Sequence, residues 1–286
     1  MAEVATFAMS DQLLVVIDPA ARRTDGESVR IAKDVLSAGA ATKVCLPDDP
    51  DEFARALTRR GSRRPVVVGD DRALTRAVTL LHRQRELAEC VLSVVPVGAA
   101  LSLAESLGVP TGAVAAARAV LDGVERRLDL LVDDSDGVVL GGLRIPPIRD
   151  PAAPDGATAV GARAGRPWLR TCQSLVRTLV PARGASPAAA GPSRLRVEVD
   201  GATLVDLDQP VEAVSVAPGA DGVAEVEVRP LSVGAEATTL LAAGRTVTVS
   251  GAHFRYRADT EVSGPLRTRT WVVREGAWGL TLPSSP

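Results

Sequence analysis

The feature that most constrains this chain is a rhythm in its first half. Short, unbroken apolar runs are each stopped by a turn residue and followed by a segment of helical period. Leu13 to Ile17 (LLVVI) ends in Asp18-Pro19, the pattern of a strand buried on both faces. Thr24 stands at capping-box spacing from Glu27, and Val29, Ile31, Ala32, Val35 and Leu36 then recur near helical period until Gly39. Thr42 to Leu46 reads as a strand, and Asp49-Pro50 opens a helix anchored by Phe53, Ala56 and Leu57. Pro65 to Val68 is the next strand, stopped by Gly69, and a helix runs from Asp70 or Asp71 to about Glu86. A strand at Val91 to Val95 ends at Pro96, Gly98 leads into a helix through Leu107, and Thr111 caps one more reaching Asp122-Gly123. Arg127 to Val132 returns to strand. Strands alternating with helices predict a mostly parallel sheet covered on both sides. Its ligand site is expected at the carboxyl ends of the strands, where Asp18, Gly69 and Gly98 fall.

The second half changes period. Asp133 to Gly137 reads as a hairpin turn into Val138 to Leu140. Residues 150–167 and 181–193 are rich in Pro, Ala and Gly and read as flexible connections around one amphipathic segment, Trp168 to Leu179. From Arg194 apolar and polar residues alternate. Strands are expected at Arg194–Asp200, Thr203–Leu207, Glu212–Ala217, Ala224–Arg229, Arg245–Ser250, Phe254–Arg257, Thr268–Arg274 and Ala277–Leu282. The predicted fold class is therefore α/β + β. A Rossmann-like α/β domain over residues 1–136 is followed by a β-sandwich domain over 137–286, and the 286-residue length suits two domains of roughly 150 residues.

Composition removes several classes of function. Cys45, Cys90 and Cys172 lack C-x-x-C spacing, which argues against a disulfide framework, a zinc knuckle or an iron-sulfur site and makes a reducing cytoplasm the expected location. With 33 basic against 35 acidic side chains, nucleic acid is not the expected partner. Three Trp, one Tyr and three Phe are few for a protein that stacks bases or sugars. Met1 to Ser10 has no basic n-region, and no apolar run approaches the roughly 20 residues of a membrane span. His82 and His253 lack a second metal-ligating neighbour, and Ser102, Ser174 and Ser215 lack a nucleophile-elbow context. Trp271, Trp278, Phe254 and Tyr256 read as core of the late strands. Taken alone, Gly69 and Gly98 are glycines of βα turns.

Their context says more. Gly69-Asp70-Asp71-Arg72-Ala73-Leu74 follows an apolar strand, and Val94-Val95-Pro96-Val97-Gly98, Leu107-Gly108-Val109-Pro110, Ala115-Ala116, Val120-Leu121-Asp122-Gly123 and Arg127-Leu128-Asp129-Leu130 come after it in order. This series resembles the diacylglycerol kinase catalytic family, which includes bacterial lipid kinases and sphingosine kinases and is related more distantly to NAD kinases. The resemblance continues through Val197-Glu198-Val199-Asp200-Gly201 and Tyr256-Arg257-Ala258-Asp259-Thr260-Glu261, the latter similar to the family's late D-G-E segment. Residues 144–193 match least.

The resemblance implies ATP and Mg²⁺ as cofactors and a lipid hydroxyl, such as that of diacylglycerol, as phosphoryl acceptor, with peripheral membrane contact. It implies that Asp18, Gly69, Asp71, Arg72 and Gly98 lie at the nucleotide, that Asp71 bears on the metal, and that Asp259 and Glu261 lie near the acceptor. It also implies that the final strand returns to the first domain. The motifs are nevertheless degraded. The family's G-G-D-G-T is Gly69-Asp70-Asp71-Arg72-Ala73, its G-T-G-N-D is Gly98-Ala99-Ala100-Leu101-Ser102, and its N-P-x-S-G is Asp18-Pro19-Ala20-Ala21-Arg22. Asp70 sets a carboxylate where a triphosphate would lie, with Arg72 as the compensating charge if it turns inward. Losing one preorganised donor typically costs about 100- to 1000-fold in rate. Two readings follow: an active lipid kinase, or a degenerate pseudokinase serving as a lipid-binding or protein-interaction module. Phosphorylation of a soluble cofactor such as NAD ranks third. Nothing in the residues sets the oligomeric state.

Overall fold

The structure, a computed structural model, describes residues 12–147, 193–231 and 238–284. The Pro/Ala/Gly-rich stretches, the amphipathic segment between them and Cys172 lie outside the described residues, apart from Ser193 at the edge of one stretch.

The first half opens with β1 (Leu13–Ile17), α1 (Pro19–Thr24), α2 (Gly26–Gly39), β2 (Thr42–Cys45), α3 (Pro50–Thr58) and β3 (Arg64–Gly69). It continues through α4 (Asp71–Arg83), β4 (Val91–Pro96), α5 (Ser102–Ser106), α6 (Ala113–Asp122) and β5 (Val124–Asp133). The first four strands are parallel in the order β2-β1-β3-β4. The continuous apolar run of β1 has a direct cause. Leu13, Val15 and Ile17 face a core shared with α2 and α6, while Leu14 and Val16 face the opposite core with α3 and α4. Every side chain of β1 is buried, and each such Val or Leu contributes about 1.5–3 kcal/mol. The same alternation divides Val66 and Val68 from Val67 in β3.

Several boundaries move from their expected places. Asp18-Pro19 starts α1, with Pro19 in its first turn, and Asp25 caps α2 by accepting from the Ser28 amide at 3.0 Å. Thr24, expected as the cap, instead donates its hydroxyl back to the Ala20 carbonyl within α1. α4 ends at Arg83 because the chain turns through Arg85 at φ +61°. α5 begins at Ser102, since the preceding loop is held by the Asp71 amide donating to the Ala100 carbonyl at 2.9 Å.

The second half comprises β6 (Val138–Val139), β7 (Leu143–Ile145), β8 (Ser193–Val199), β9 (Ala202–Val205), β10 (Pro210–Pro218) and β11 (Ala224–Pro230), then β12 (Leu240–Gly244), β13 (Thr246–Ala258) and β14 (Glu261–Leu282). All pairings among these strands are antiparallel. β13 and β14 are each one strand where two were expected. The interruptions at residues 251–253 and 275–277 are register shifts, with His253 at φ +54° and Gly276 at φ +53°, so pairing resumes beyond each.

β14 joins the two halves. Its earlier residues pair with β13 and β5, and Trp271 and Val273 lie in the antiparallel core. Its last residues pair in parallel with β4, Gly279 opposite Val91 and Leu280 opposite Leu92, so Trp278, Leu280 and Leu282 enter the α/β core. One hydrogen-bonded path thereby runs β12-β11-β10-β7-β13-β14-β4-β3-β1-β2.

Candidate functional site

The carboxyl ends of β1, β3 and β4 carry three helix starts, where free backbone amides ordinarily attract phosphate. Here each start is closed by a carboxylate of the chain itself. At α1 the buried Asp18 accepts from the Ala20 amide and from Arg76 Nη1, each at 2.8 Å. At α4 Asp70 accepts from the Ala73 amide at 3.1 Å. At α5 Asp71 takes the Leu103 amide on Oδ2 at 2.9 Å and the Ala104 amide on Oδ1 at 3.0 Å, with the Ser102 hydroxyl at 3.4 Å.

The glycines serve close packing at the same place. A Cβ on Gly69 would sit 2.6 Å from the Ala73 Cβ and 3.0 Å from the Asp18 Cβ. Gly98 has φ +135°, and its Cβ would meet the Asp70 Cβ at 3.1 Å. Arg72 does not turn inward: it is exposed and forms no hydrogen bond or ion pair with the described residues.

A second carboxylate comes from the antiparallel half. Asp259, at the turn from β13 to β14, holds φ +45° and receives the Leu140 amide on Oδ2 at 2.8 Å. Its Oδ1 receives the Gly141 and Gly142 amides at 2.8 and 3.1 Å. Burial pushes the Asp259 carboxyl above the usual aspartate range; the three amides offset part of that effect, and the Asp71 charge adds to it.

Asp71 and Asp259 line one cavity of about 1380 Å³. Its walls are α5 with the preceding loop, residues 141–144, and the middle of β10, β11 and β12. Leu101, Leu103, Leu143, Val216, Val226 and Leu241 supply its apolar surface, and Leu241 is 74% exposed, so the cavity opens along the outer strand. Of the seven residues singled out from the sequence, only Asp71 and Asp259 line this cavity. Asp18, Gly69 and Gly98 stand at the strand ends behind it, and Arg72 and Glu261 are exposed away from its lining. Sequence reasoning missed the Gly141-Gly142 loop and the β12 wall. The glycine pair after an apolar run was the available signal for the first, whereas the second depends on pairing with β11. His82 is held by Asp136 at 2.9 Å.

The residues present do not fit Mg·ATP. A carboxylate offers about four lone-pair directions, of which main-chain amides take two on Asp71 and three on Asp259. A triphosphate at α4 would meet Asp70 and Asp71 with no inward arginine between them.

An α/β half with capped strand ends is thus joined by one long strand to an antiparallel half across an open cavity. Residues 12–132 match the family model of the diacylglycerol kinase catalytic domain. Two solved structures described as candidate diacylglycerol kinases from Bacillus anthracis str. Sterne share the fold, each with a TM-score of 0.68. Their identities to this chain are 13% and 11%, with 96% of this chain and 97% and 98% of theirs covered. A third, described as a diacylglycerol kinase from the same organism, has a TM-score of 0.66 at 11% identity, covering 96% of this chain and 97% of its own. No curated protein matches the chain.

Proposed function

We propose that this chain is a catalytically degenerate lipid-kinase-like protein, an α/β domain and a β-sandwich domain that bind a lipid between them without transferring phosphate to it. The observation that carries this reading is the closure of all three helix starts at the strand ends by Asp18, Asp70 and Asp71. Phosphoryl transfer relies on positioning and on donors aimed at developing charge, and these donors are already used within the fold. The lipid side persists. The cavity has the volume and apolar walls for an acyl chain, and the match to the diacylglycerol kinase catalytic domain makes a glycerolipid such as diacylglycerol the first ligand to try. Among the described residues no helix is long and apolar enough to cross a membrane.

Calorimetric titration with ATP and Mg²⁺, beside an intact diacylglycerol kinase as control, is the test. No saturable heat is expected with nucleotide, whereas vesicles containing diacylglycerol should bind, and Leu241→Glu, at an exposed position of the cavity wall, should abolish that binding. Nucleotide binding together with phosphorylated lipid would overturn this reading in favour of an active kinase with Asp259 beside the acceptor hydroxyl. Absence of both nucleotide and lipid binding would leave the protein-interaction alternative.

A further inference from the structure

At the opposite end of β3 from Gly69, the chain reads Arg59-Arg60-Gly61-Ser62-Arg63-Arg64, four arginines around one serine. Gly61 at φ +61° turns it, and the Arg63 amide closes the turn on the Arg60 carbonyl at 3.3 Å. Ser62 is exposed at its tip. Beside it lies a second cavity of about 480 Å³, lined by Arg60, Ser62, Arg63 and Arg64 together with Glu89 and Glu125.

The arginines here differ in how they are satisfied. Arg60 donates from Nη1 to Glu86 at 2.6 Å, and Arg64 donates from Nη2 to the Val120 carbonyl at 2.8 Å. Glu125 faces Arg127 at 3.4 Å. Arg63 is half-buried, its Nη1 reaches only the Arg60 carbonyl at 3.3 Å, and it forms no ion pair with the described residues. Its Nε is buried with no hydrogen-bond partner. A buried, unpaired guanidinium N–H is costly unless a ligand or ion completes it.

We propose that this loop is a binding site for a phosphate-type oxyanion. Arg63 holds the anion through Nε and its terminal nitrogens, the arrangement guanidinium groups use for tetrahedral oxyanions, with Arg60 and the Ser62 hydroxyl beside it. The phosphate comes either from solution or from phosphorylation of Ser62 itself, in which a protein kinase moves the γ-phosphoryl of a nucleoside triphosphate to Ser62 Oγ, the bond to the β-phosphate breaks, and the nucleoside diphosphate and the hydroxyl proton are released. Both sources place the same group against the same arginine.

Calorimetry of the full chain with inorganic phosphate at constant ionic strength tests this, alongside its intact mass. Protein without added phosphoryl mass should take up one phosphate saturably. Arg63→Met should weaken uptake roughly tenfold or more, the scale of one charge-assisted hydrogen bond, while Arg63→Lys retains part of it and Arg30→Met changes nothing. Thermal melts of each variant separate lost binding from lost folding. Protein that carries one phosphoryl should bind no further phosphate until phosphatase removes it, and Ser62→Ala should lack the added mass yet still bind. Absence of saturable uptake by dephosphorylated protein, or equal uptake by Arg63→Met, overturns the proposal.

Discussion

The two halves of the molecule meet at one cavity and bring different chemistry to it. The α/β half presents helix starts already capped by Asp70 and Asp71, so its polar groups are turned inward upon the fold. The antiparallel half presents β10 to β12, where Leu241 is exposed to solvent and Val216 and Val226 line the cavity from the core. The helix starts of one half are capped by the chain's own carboxylates, while the other half lines the cavity with apolar side chains. The comparison also has a mechanical side, because β14 contributes one tryptophan to each core.

The largest effect tests that coupling. Trp271 and Trp278 are both fully buried, and neither indole N–H has a hydrogen-bond partner, so truncation removes packing alone. Either change to alanine is expected to cost about 3–5 kcal/mol. Urea unfolding followed by circular dichroism and by fluorescence should show one shared transition that both variants lower. Two transitions, each moved by only one of the substitutions, would mean that β14 connects the halves without making them cooperative.

Next come the two carboxylates that face the cavity. Asp71→Ala leaves the Leu103 and Ala104 amides without their acceptor and is expected to cost about 2–3 kcal/mol in urea unfolding. Asp259→Asn keeps a residue that tolerates positive φ and still offers one oxygen for three amides, so about 1–2 kcal/mol is expected. Because the two charges repel, the double variant should lose less than the sum of the single losses. Strict additivity would show that the acids act independently across the cavity.

These acids also show what was legible in the sequence. Leu13 to Ile17 declared itself because a strand buried on both faces must be apolar throughout. β12 did not, since Leu240-Leu241-Ala242-Ala243-Gly244 contains no β-branched residue and is a strand only because β11 pairs with it. Asp71 and Asp259 stood out as acids in motif positions, but their use was hidden. The amides that occupy them lie 32 and 33 residues away for Asp71, and 117 to 119 for Asp259. Spacing within a motif cannot reveal a partner brought in by tertiary structure, and the same holds for Asp18 and its Arg76.

A smaller effect separates the halves by pH. Burial pushes the Asp133 carboxyl up, but the Ser135 hydroxyl and the Gly137 and Ser135 amides outweigh it and hold the group below the usual aspartate range. Its stabilising contribution is therefore present above that range and is lost as pH falls through the lowered value. Asp259 has the opposite sign. Its folded form holds a proton more tightly than the unfolded chain, so its contribution is full below the usual range and is lost as pH rises through the raised value. In urea midpoints measured across the acid range, Asp133→Asn should flatten the loss on acidification. Asp259→Asn should remove a decline on the less acidic side, and identical profiles for the two variants would refute the assignment.

The smallest expected effect on stability bears most directly on the nucleotide side. Asp70→Gly with Arg72→Gly takes the carboxylate off the Ala73 amide and the side chain off the first turn of α4; glycine in place of the cap costs a few tenths of a kcal/mol and glycine at position 72 up to about 1 kcal/mol. If the caps are what exclude anions, this variant should acquire calorimetric affinity for ATP that the parent chain lacks. Adding Ala73→Thr should not improve it. Ala73 is fully buried, and its Cβ lies 2.6 Å from where a Gly69 Cβ would stand, so the larger side chain overpacks the turn it was meant to restore. A variant that folds normally yet stays silent toward ATP would shift the explanation from Asp70 to Asp71, whose grip on α5 keeps the third helix start closed.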